Sequence, residues 1–346
     1  IDRDENLRFR GRVAESWTVS EDAYFFVNAD RSLSGSGDGD AEALVAYLQA
    51  LLARPESLPE SLQKAFGNIR EISLVPARAD IVRRQLPAAA GRDAVDLTVQ
   101  VKAAPRITLT LRDVDPDIFT HLADVLGPDY FAAFPSRRHV SVSTPIPEAG
   151  LERLADELLP AIEHNPVIEF RLRPGVRFHD GREVTARDVR FTYDAIMDPK
   201  NLSPRVADYE PVKDIQIIDP FTVRVVYKRL HSPAVGTWAM GLLPEHLLNP
   251  DRLRQEALRA GKDPTAFSIR QSEFNRRPVG SGPFVFREWK SDQYIILDRF
   301  ADYWEGAPNY KRYIYRILPD LLTQEMEFYA GTIDAYGVQP YQVARL

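Results

Sequence analysis

The sequence predicts an α+β protein of more than one domain, a mixed α/β chain with β-sheets flanked by helices. Three observations carry that reading. Apolar residues recur at every second position in short runs, as in Ile168, Phe170 and Leu172 against Glu169, Arg171 and Arg173, which is the period of a strand with one buried face. Other runs place them at helical spacing, such as Leu44, Tyr47, Leu48 and Leu51, or Leu151, Leu154, Leu158 and Ile162. The two kinds are mixed without strict alternation, and 346 residues suffice for two or three cores.

Composition narrows the function classes. Hydrophobic residues at 44% and charged residues at 27% are those of an ordinary globular protein. A net charge of -6 without a block of Lys or Arg argues against nucleic acid or an anionic membrane surface as partner. The chain has no cysteine, so disulfides and thiolate metal sites do not arise. Its histidines (His121, His139, His164, His179, His231 and His246) lack metal-ligand spacing, and neither a metal nor a cofactor is predicted. No run of 18 apolar residues is present to span a membrane.

Taken in order, residues 1–10 form a charged, irregular lead-in, and 15–19 and 24–27 read as two short strands about a Ser20-Glu21-Asp22 turn. Ser34 to Asp40, SGSGDGD, is a flexible Gly/Ser linker. It opens a stretch, 28–165, that reads as a small inserted α+β module. Within it, 41–53 is helical, and 69–75, 95–101 and 107–111 are strands, the last two joined in a hairpin through Pro105. A helix opened by Asp115-Pro116 carries Ile118, Leu122 and Leu126 and stops at Gly127-Pro128; a strand at 140–142 and a helix over 151–162 complete the module.

Beyond it, Pro174-Gly175 suits a type II turn after the strand at Phe170, and Asp180-Gly181 turns the chain again. Thr185 and Asp188 form the capping box of a helix with a stripe of Val189, Tyr193, Ile196 and Met197. Asp219-Pro220 centres a hairpin between Ile215, Ile217 and Phe221, Val223, Val225, Tyr227. Residues 231–241 cross between subdomains, helices start near Pro244 and over 251–260, and strands at 284–289, 294–298 and 313–318 precede a helix over 323–329 that ends at Gly331.

Val167 to Met197, VIEFRLRPGVRFHDGREVTARDVRFTYDAIM, resembles the signature of family 5 extracellular solute-binding proteins, the oligopeptide, dipeptide and nickel receptors of ABC importers. Four further stretches resemble that family's motifs in the same order: GRVAESWTVS from Gly11, RPVGSGPF from Arg277, DYWEG from Asp302 and GTIDA from Gly331. The resemblance implies the first lobe of a type II periplasmic binding protein. In it, 1–27 and 166–232 would form a signature subdomain, 28–165 a guest, and 233–346 a sheet-based subdomain ending at the hinge. A second lobe would follow Leu346, and a signal peptide or lipid-anchor cysteine would precede Ile1. The implied protein is an extracytoplasmic, monomeric, non-enzymatic receptor, held at the membrane only through such an anchor. Its partners would be a peptide or other small solute and the permease subunits. The strand at Tyr24 must then pair with the strand at Phe170.

Candidate ligand contacts follow. Gly280, Ser281 and Gly282 form either a loop whose bare backbone approaches a ligand or a tight turn into the strand at Phe284. The spacing fits neither a nucleophile elbow nor a phosphate loop. Tyr303 and Trp304, with Tyr209 and Trp238 as weaker members of the same kind, offer large amphipathic rings that serve variable side chains or a core. His179-Asp180 reads as part of a turn rather than as a metal or acid–base pair. Two other classes stay open: an envelope-interaction or sensor protein working through 28–165, and a hydrolase, for which no catalytic constellation is found.

Overall fold

The computed structural model describes residues 1–26, 41–86, 95–103, 105–127, 139–143, 147–229 and 234–345; the Ser34–Asp40 linker, Val27, Pro128 and His231 lie outside them. In chain order the strands are β1 (Asp2–Arg3), β2 (Phe9–Arg10), β3 (Ala14–Phe26), β4 (Ile69–Val75), β5 (Arg78–Leu86), β6 (Val95–Ala103), β7 (Arg106–Leu111), β8 (His139–Val142), β9 (Ile162–Leu172), β10 (Val212–Asp219), β11 (Thr222–Tyr227), β12 (Phe284–Lys290), β13 (Tyr294–Arg299) and β14 (Arg312–Arg316). The helices are α1 (Ala41–Ala53), α2 (Glu60–Asn68), α3 (Ile118–Leu126), α4 (Glu148–Leu158), α5 (Ala186–Met197), α6 (Val206–Tyr209), α7 (Ala234–Thr237), α8 (Glu245–Leu248), α9 (Pro250–Arg259) and α10 (Leu321–Tyr329). The chain divides into two compact units: residues 1–171, 207–218 and 222–239, and residues 172–206, 219–221 and 240–346.

The first unit is built on a sheet of order β10-β11-β9-β3-β7-β4. β3 is an interior strand, antiparallel to β7 with Phe25 opposite Ile107 on one edge and bonded to β9 on the other. The pairing of Tyr24's strand with Phe170's is thus present. β3 is one continuous strand of 13 residues, not two strands about a turn. The reason is that Glu21 and Asp22 find partners across the sheet and beside it. Glu21 is fully buried, accepting the Asp115 N–H at 2.7 Å and paired with His164. Asp22 takes the Arg224 guanidinium at 2.6 Å. Residues that open turns when solvated extend a strand when their side chains are satisfied across it.

Alternation on β3 and β7 then decides the core. Ala23 and Phe25 on β3, with Ile107, Leu109 and Leu111 on β7, face Leu44 and Leu48 of α1, Phe66 of α2 and Ile118, Phe119 and Leu122 of α3. Phe25 and Phe119 meet edge to face at 6.3 Å. The sequence's hairpin through Pro105 does not form. β6 instead pairs with β5 and β8 in a separate sheet, and Val99 and Val101 pack with Phe26 and Leu159. Both strands alternate cleanly, so periodicity could not tell that they feed different layers. The helix expected over 151–162 ends at Leu158, before Pro160, and Ile162 already begins β9. Near β11, Tyr209 is fully buried, its ring 5.3 Å from Trp238, and its hydroxyl donates to the Thr237 carbonyl at 2.7 Å. The Trp238 Nε1–H donates to the Tyr227 hydroxyl at 2.8 Å, and burial pushes the Tyr227 pKa up to about 12.

In the second unit, Gly175 takes φ +81°, and its N–H is held by Glu183 at 2.7 Å, closing the Pro174-Gly175 turn. The capping box of α5 forms, with the Thr185 N–H donating to Asp188 Oδ2 at 2.9 Å. Asp188 Oδ1 also accepts the Glu245 N–H at 3.0 Å and Thr192 Oγ1 accepts the Leu243 N–H at 2.9 Å, which pins the start of α8 to α5. The buried face of α5 therefore runs through Ala186, Asp188, Val189, Thr192 and Ala195, and the expected stripe members Tyr193, Ile196 and Met197 are only half-buried. β12, β13 and β14 form an antiparallel sheet with a bulge between Phe286 and Glu288. Asp320 caps α10, and Gly331 at φ +70° ends it.

Two outcomes follow. Glu21→Ala strands the Asp115 N–H and the His164 ring, and should lower the unfolding free energy by about 2 kcal/mol in urea titration; an unchanged midpoint contradicts the role given to Glu21. Tyr227→Phe leaves the Trp238 Nε1–H without its acceptor and should cost about 1–2 kcal/mol. In the parent protein, alkaline absorbance titration should find one tyrosine ionising near the top of the range, absent from the variant.

Candidate functional site

The second unit holds a loop fixed from outside by one side chain. Phe178, wholly buried, anchors the end of the turn, so that His179 follows in a half-buried position facing residues 280–282. The His179 backbone N–H donates to the Gly280 carbonyl at 2.8 Å, and the Gly280 N–H donates to His179 Nδ1 at 3.2 Å. Nδ1 is an acceptor and carries no proton, so the proton sits on Nε2, which donates to the Gly282 carbonyl at 2.9 Å. Two hydrogen bonds thus join a neutral imidazole of one tautomer to the two glycines, and a third joins the His179 backbone to that of Gly280. Burial pushes the His179 pKa below its ordinary value, against the Gly282 carbonyl and Asp180, which favour the charged form. The Phe300 ring closes the other side, edge-on at 5.1 Å.

Neither Gly280 nor Gly282 has a positive φ, and a Cβ added at Gly282 would meet nothing within 4 Å. The backbone conformation does not itself demand glycine at these positions. Beside this loop runs an open groove of about 940 Å³ whose lining includes His179, Arg276, Arg277, Val279, Phe286 and Trp289. Arg276 lies over the Trp289 ring at 5.1 Å, and Trp289 is 45% exposed. Arg287, also at the groove, is neutralised by Asp298 at 2.8 Å. Asp180 pairs with His246 Nε2 at 2.5 Å.

The sequence candidates distribute as follows. Gly280, Ser281 and Gly282 form the clamped loop beside the groove, whose lining reaches Val279 but includes none of the three. Tyr303 is buried with its hydroxyl donating to Glu305 at 2.8 Å, and Trp304 lies 5.8 Å from it, its ring under the Arg173 guanidinium at 4.7 Å. Neither ring lines the groove. Tyr209 and Trp238 belong to the first unit, where their rings are packed and their polar atoms paired. Sequence reasoning did not single out Arg276, Arg277 or Trp289. The available signal was a pair of arginines directly before a Pro-rich glycine loop, and a tryptophan on the strand leaving it.

A sequence model of the bacterial extracellular solute-binding proteins, family 5 Middle, matches residues 154–346. The chain belongs to this family. It is 34% identical over 175 residues to the oligopeptide-binding protein AppA of Bacillus subtilis, covering 49% of this chain and 30% of that protein. It is 30% identical over 182 residues to heme-binding protein A of Haemophilus influenzae, covering 48% and 31%. The solved structure of Bacillus subtilis AppA in complex with a nonapeptide matches with a TM-score of 0.41 at 32% identity, over 48% of this chain and 31% of that one. The matched part of the chain spans about 30% of the length of these curated relatives. Among the described residues no helix is long and apolar enough to cross a membrane.

In this family member the His179 clamp has a definite acid response. The folded state holds His179 neutral, with its pKa below the unfolded value, so the unfolded chain takes up the proton first as pH falls. The stabilisation is complete above the ordinary histidine range and is lost progressively below it. NMR titration should find His179 titrating below its ordinary value with the proton on Nε2, and His179→Asn should flatten the acid-side loss of stability. A His179 resonance titrating at or above the ordinary value contradicts the assignment.

Proposed function

We propose that the chain is the type II-like first lobe of a receptor that captures a peptide or similar small solute and delivers it to the permease subunits of an ABC importer. What carries the reading is the continuous family match over 154–346, which contains the clamped Gly280–Gly282 loop and the groove beside it. Among the relatives, AppA is named as oligopeptide-binding and a protein of Pseudomonas aeruginosa, 33% identical, as di/tripeptide-binding, which favours a peptide over other solutes. Ligand contacts would stabilise a closed arrangement over an open one, and the family's capture step is a population shift of that kind.

On this reading the protein works outside the cytoplasm as a monomer, tethered by a lipid anchor if at all, and performs no chemistry on its ligand. Residues 28–165 would be a guest in the lobe: the family match leaves out 28–153, though it takes in 154–165, and β4 and β7 extend a sheet otherwise made from its flanks. Gly280, Ser281 and Gly282, together with Tyr303 and Trp304, are the proposed ligand-side elements. The test is uptake. Cells lacking the gene should lose most accumulation of a labelled oligopeptide and regain it with the gene restored. Undiminished uptake of peptides across a range of lengths contradicts the receptor role.

A further inference from the structure

We infer that the second unit holds a site for a small aromatic molecule bearing one hydroxyl or N–H donor, in the cavity lined by α5, the 199–201 turn, α9 and the 264–269 loop. This site shares no residue with the groove beside the Gly280–Gly282 loop and is independent of the receptor reading.

The cavity follows from how these elements are joined. α5 ends at Met197, Asp198 accepts the Lys200 N–H at 2.9 Å, and Leu202 takes φ +47°, so the helix stops in a tight turn rather than running on. The Lys200 Nζ donates to the Thr265 carbonyl at 3.1 Å and ties the 264–269 loop to that turn. Asn249 caps α9, accepting the Arg252 N–H at 3.0 Å. A space of about 430 Å³ is left among them, within the range that encloses a small ligand. Its walls are mainly apolar: Ala195, Leu248 and Phe267 are buried, and Phe191, Leu253 and Ile269 are half-buried. Two of these are phenylalanine rings, and such rings receive another ring edge to face or offset.

Hydrogen-bond capacity selects the polar group. Asn201 lines the cavity, and its Nδ2 donates to the Ala195 carbonyl at 2.9 Å, which fixes which end of the amide is the oxygen. That oxygen, Oδ1, is buried and receives no hydrogen bond. A buried acceptor without a donor is unfavourable, and a donor carried by a ligand removes the penalty. The neighbouring polar groups are committed: Asp194 to Arg190 at 3.0 Å, Lys200 to the Thr265 carbonyl, and Ser268 Oγ to Gln271 at 2.7 Å. Arg254 is exposed and served by solvent. A lone water suits such a place poorly, because ordered water draws on several polar partners. One donor on an otherwise apolar, flat body suits it well.

The experiment titrates p-cresol, 4-methylanisole and p-hydroxybenzoate into the ¹⁵N-labelled full chain, each to millimolar concentration. p-Cresol should shift the amides of residues 194–201 and 248–269 and bind about tenfold tighter than 4-methylanisole, which keeps the ring and lacks the donor. Asn201→Ala should bring the two probes to equal affinity, whereas Asn201→Asp, which keeps an acceptor oxygen, should preserve the preference for p-cresol. Leu253→Trp, which fills the cavity from α9, should abolish the shifts in a chain whose spectrum otherwise matches the parent. Equal binding of p-cresol and 4-methylanisole to the parent overturns the inference, and that comparison decides even where a variant does not fold. A preference that survives Asn201→Ala, or shifts confined to other residues, overturns it as well. Tighter binding of p-hydroxybenzoate overturns it too, since Arg254 and a carboxylate would then define the site, and so does the absence of any shift.

Discussion

The constraint on which the first unit depends is the interior position of β3. A strand bonded on both edges must satisfy every backbone group through its neighbours, and here both neighbours, β7 and β9, lie far along the chain from it. β9 lies on one side and β7 on the other, so the register of β3 fixes which of its side chains meet the helices of residues 41–126 and which meet Arg224 and Lys213. A slip of one position would exchange Phe25 with Tyr24 and move the apolar set out of the core. Glu21 locks that register, because its carboxylate accepts from Asp115 on one side and pairs with His164 on the other.

The opposite face of the same sheet is polar and internally paired around Tyr24, and apolar where Phe26 packs with Val99, Val101 and Leu159. Tyr24 lies beneath the Arg106 guanidinium at 4.3 Å, while Lys213 reaches Asn165 at 2.8 Å and also pairs with Glu163. Desolvation of the Tyr24 hydroxyl, with Asp22 beside it, pushes its pKa up despite the two nearby arginines. The result is one sheet with a dry face toward the helices and a second face that is part salt-bridged and part apolar. That is an ordinary solution for an antiparallel sheet whose second side is partly wet.

In the second unit the corresponding device is smaller. A single imidazole replaces the paired strands: His179 holds both glycines of a loop 101 residues further along, and does so only while it is neutral. Because a neutral histidine has one donor and one acceptor, it can take the Gly280 N–H and give to the Gly282 carbonyl, whereas an imidazolium could not accept at all. Asp188 plays a similar part for α5 and α8, closing its own helix cap with one oxygen and the start of the next helix with the other. Both side chains belong to the HDG–TARDV stretch that carried the family resemblance. Their second role lies in bonds to residues far away in sequence.

The sequence by itself determined what is local. The α5 capping box, the Pro174-Gly175 and Asp180-Gly181 turns, the β12–β14 strands and the limits of α1 all follow from side chains within a few residues of one another. Family membership was equally legible, since it rests on motifs in order rather than on contacts. Tertiary structure decided the rest. Whether Ser20-Glu21-Asp22 turns or extends depends on partners at Asp115, His164 and Arg224, and whether β6 joins β7 or crosses to another sheet depends on which face of each strand finds a core. A polar residue's conformation is set by the group that satisfies it, and when that group lies a hundred positions away no local pattern records it.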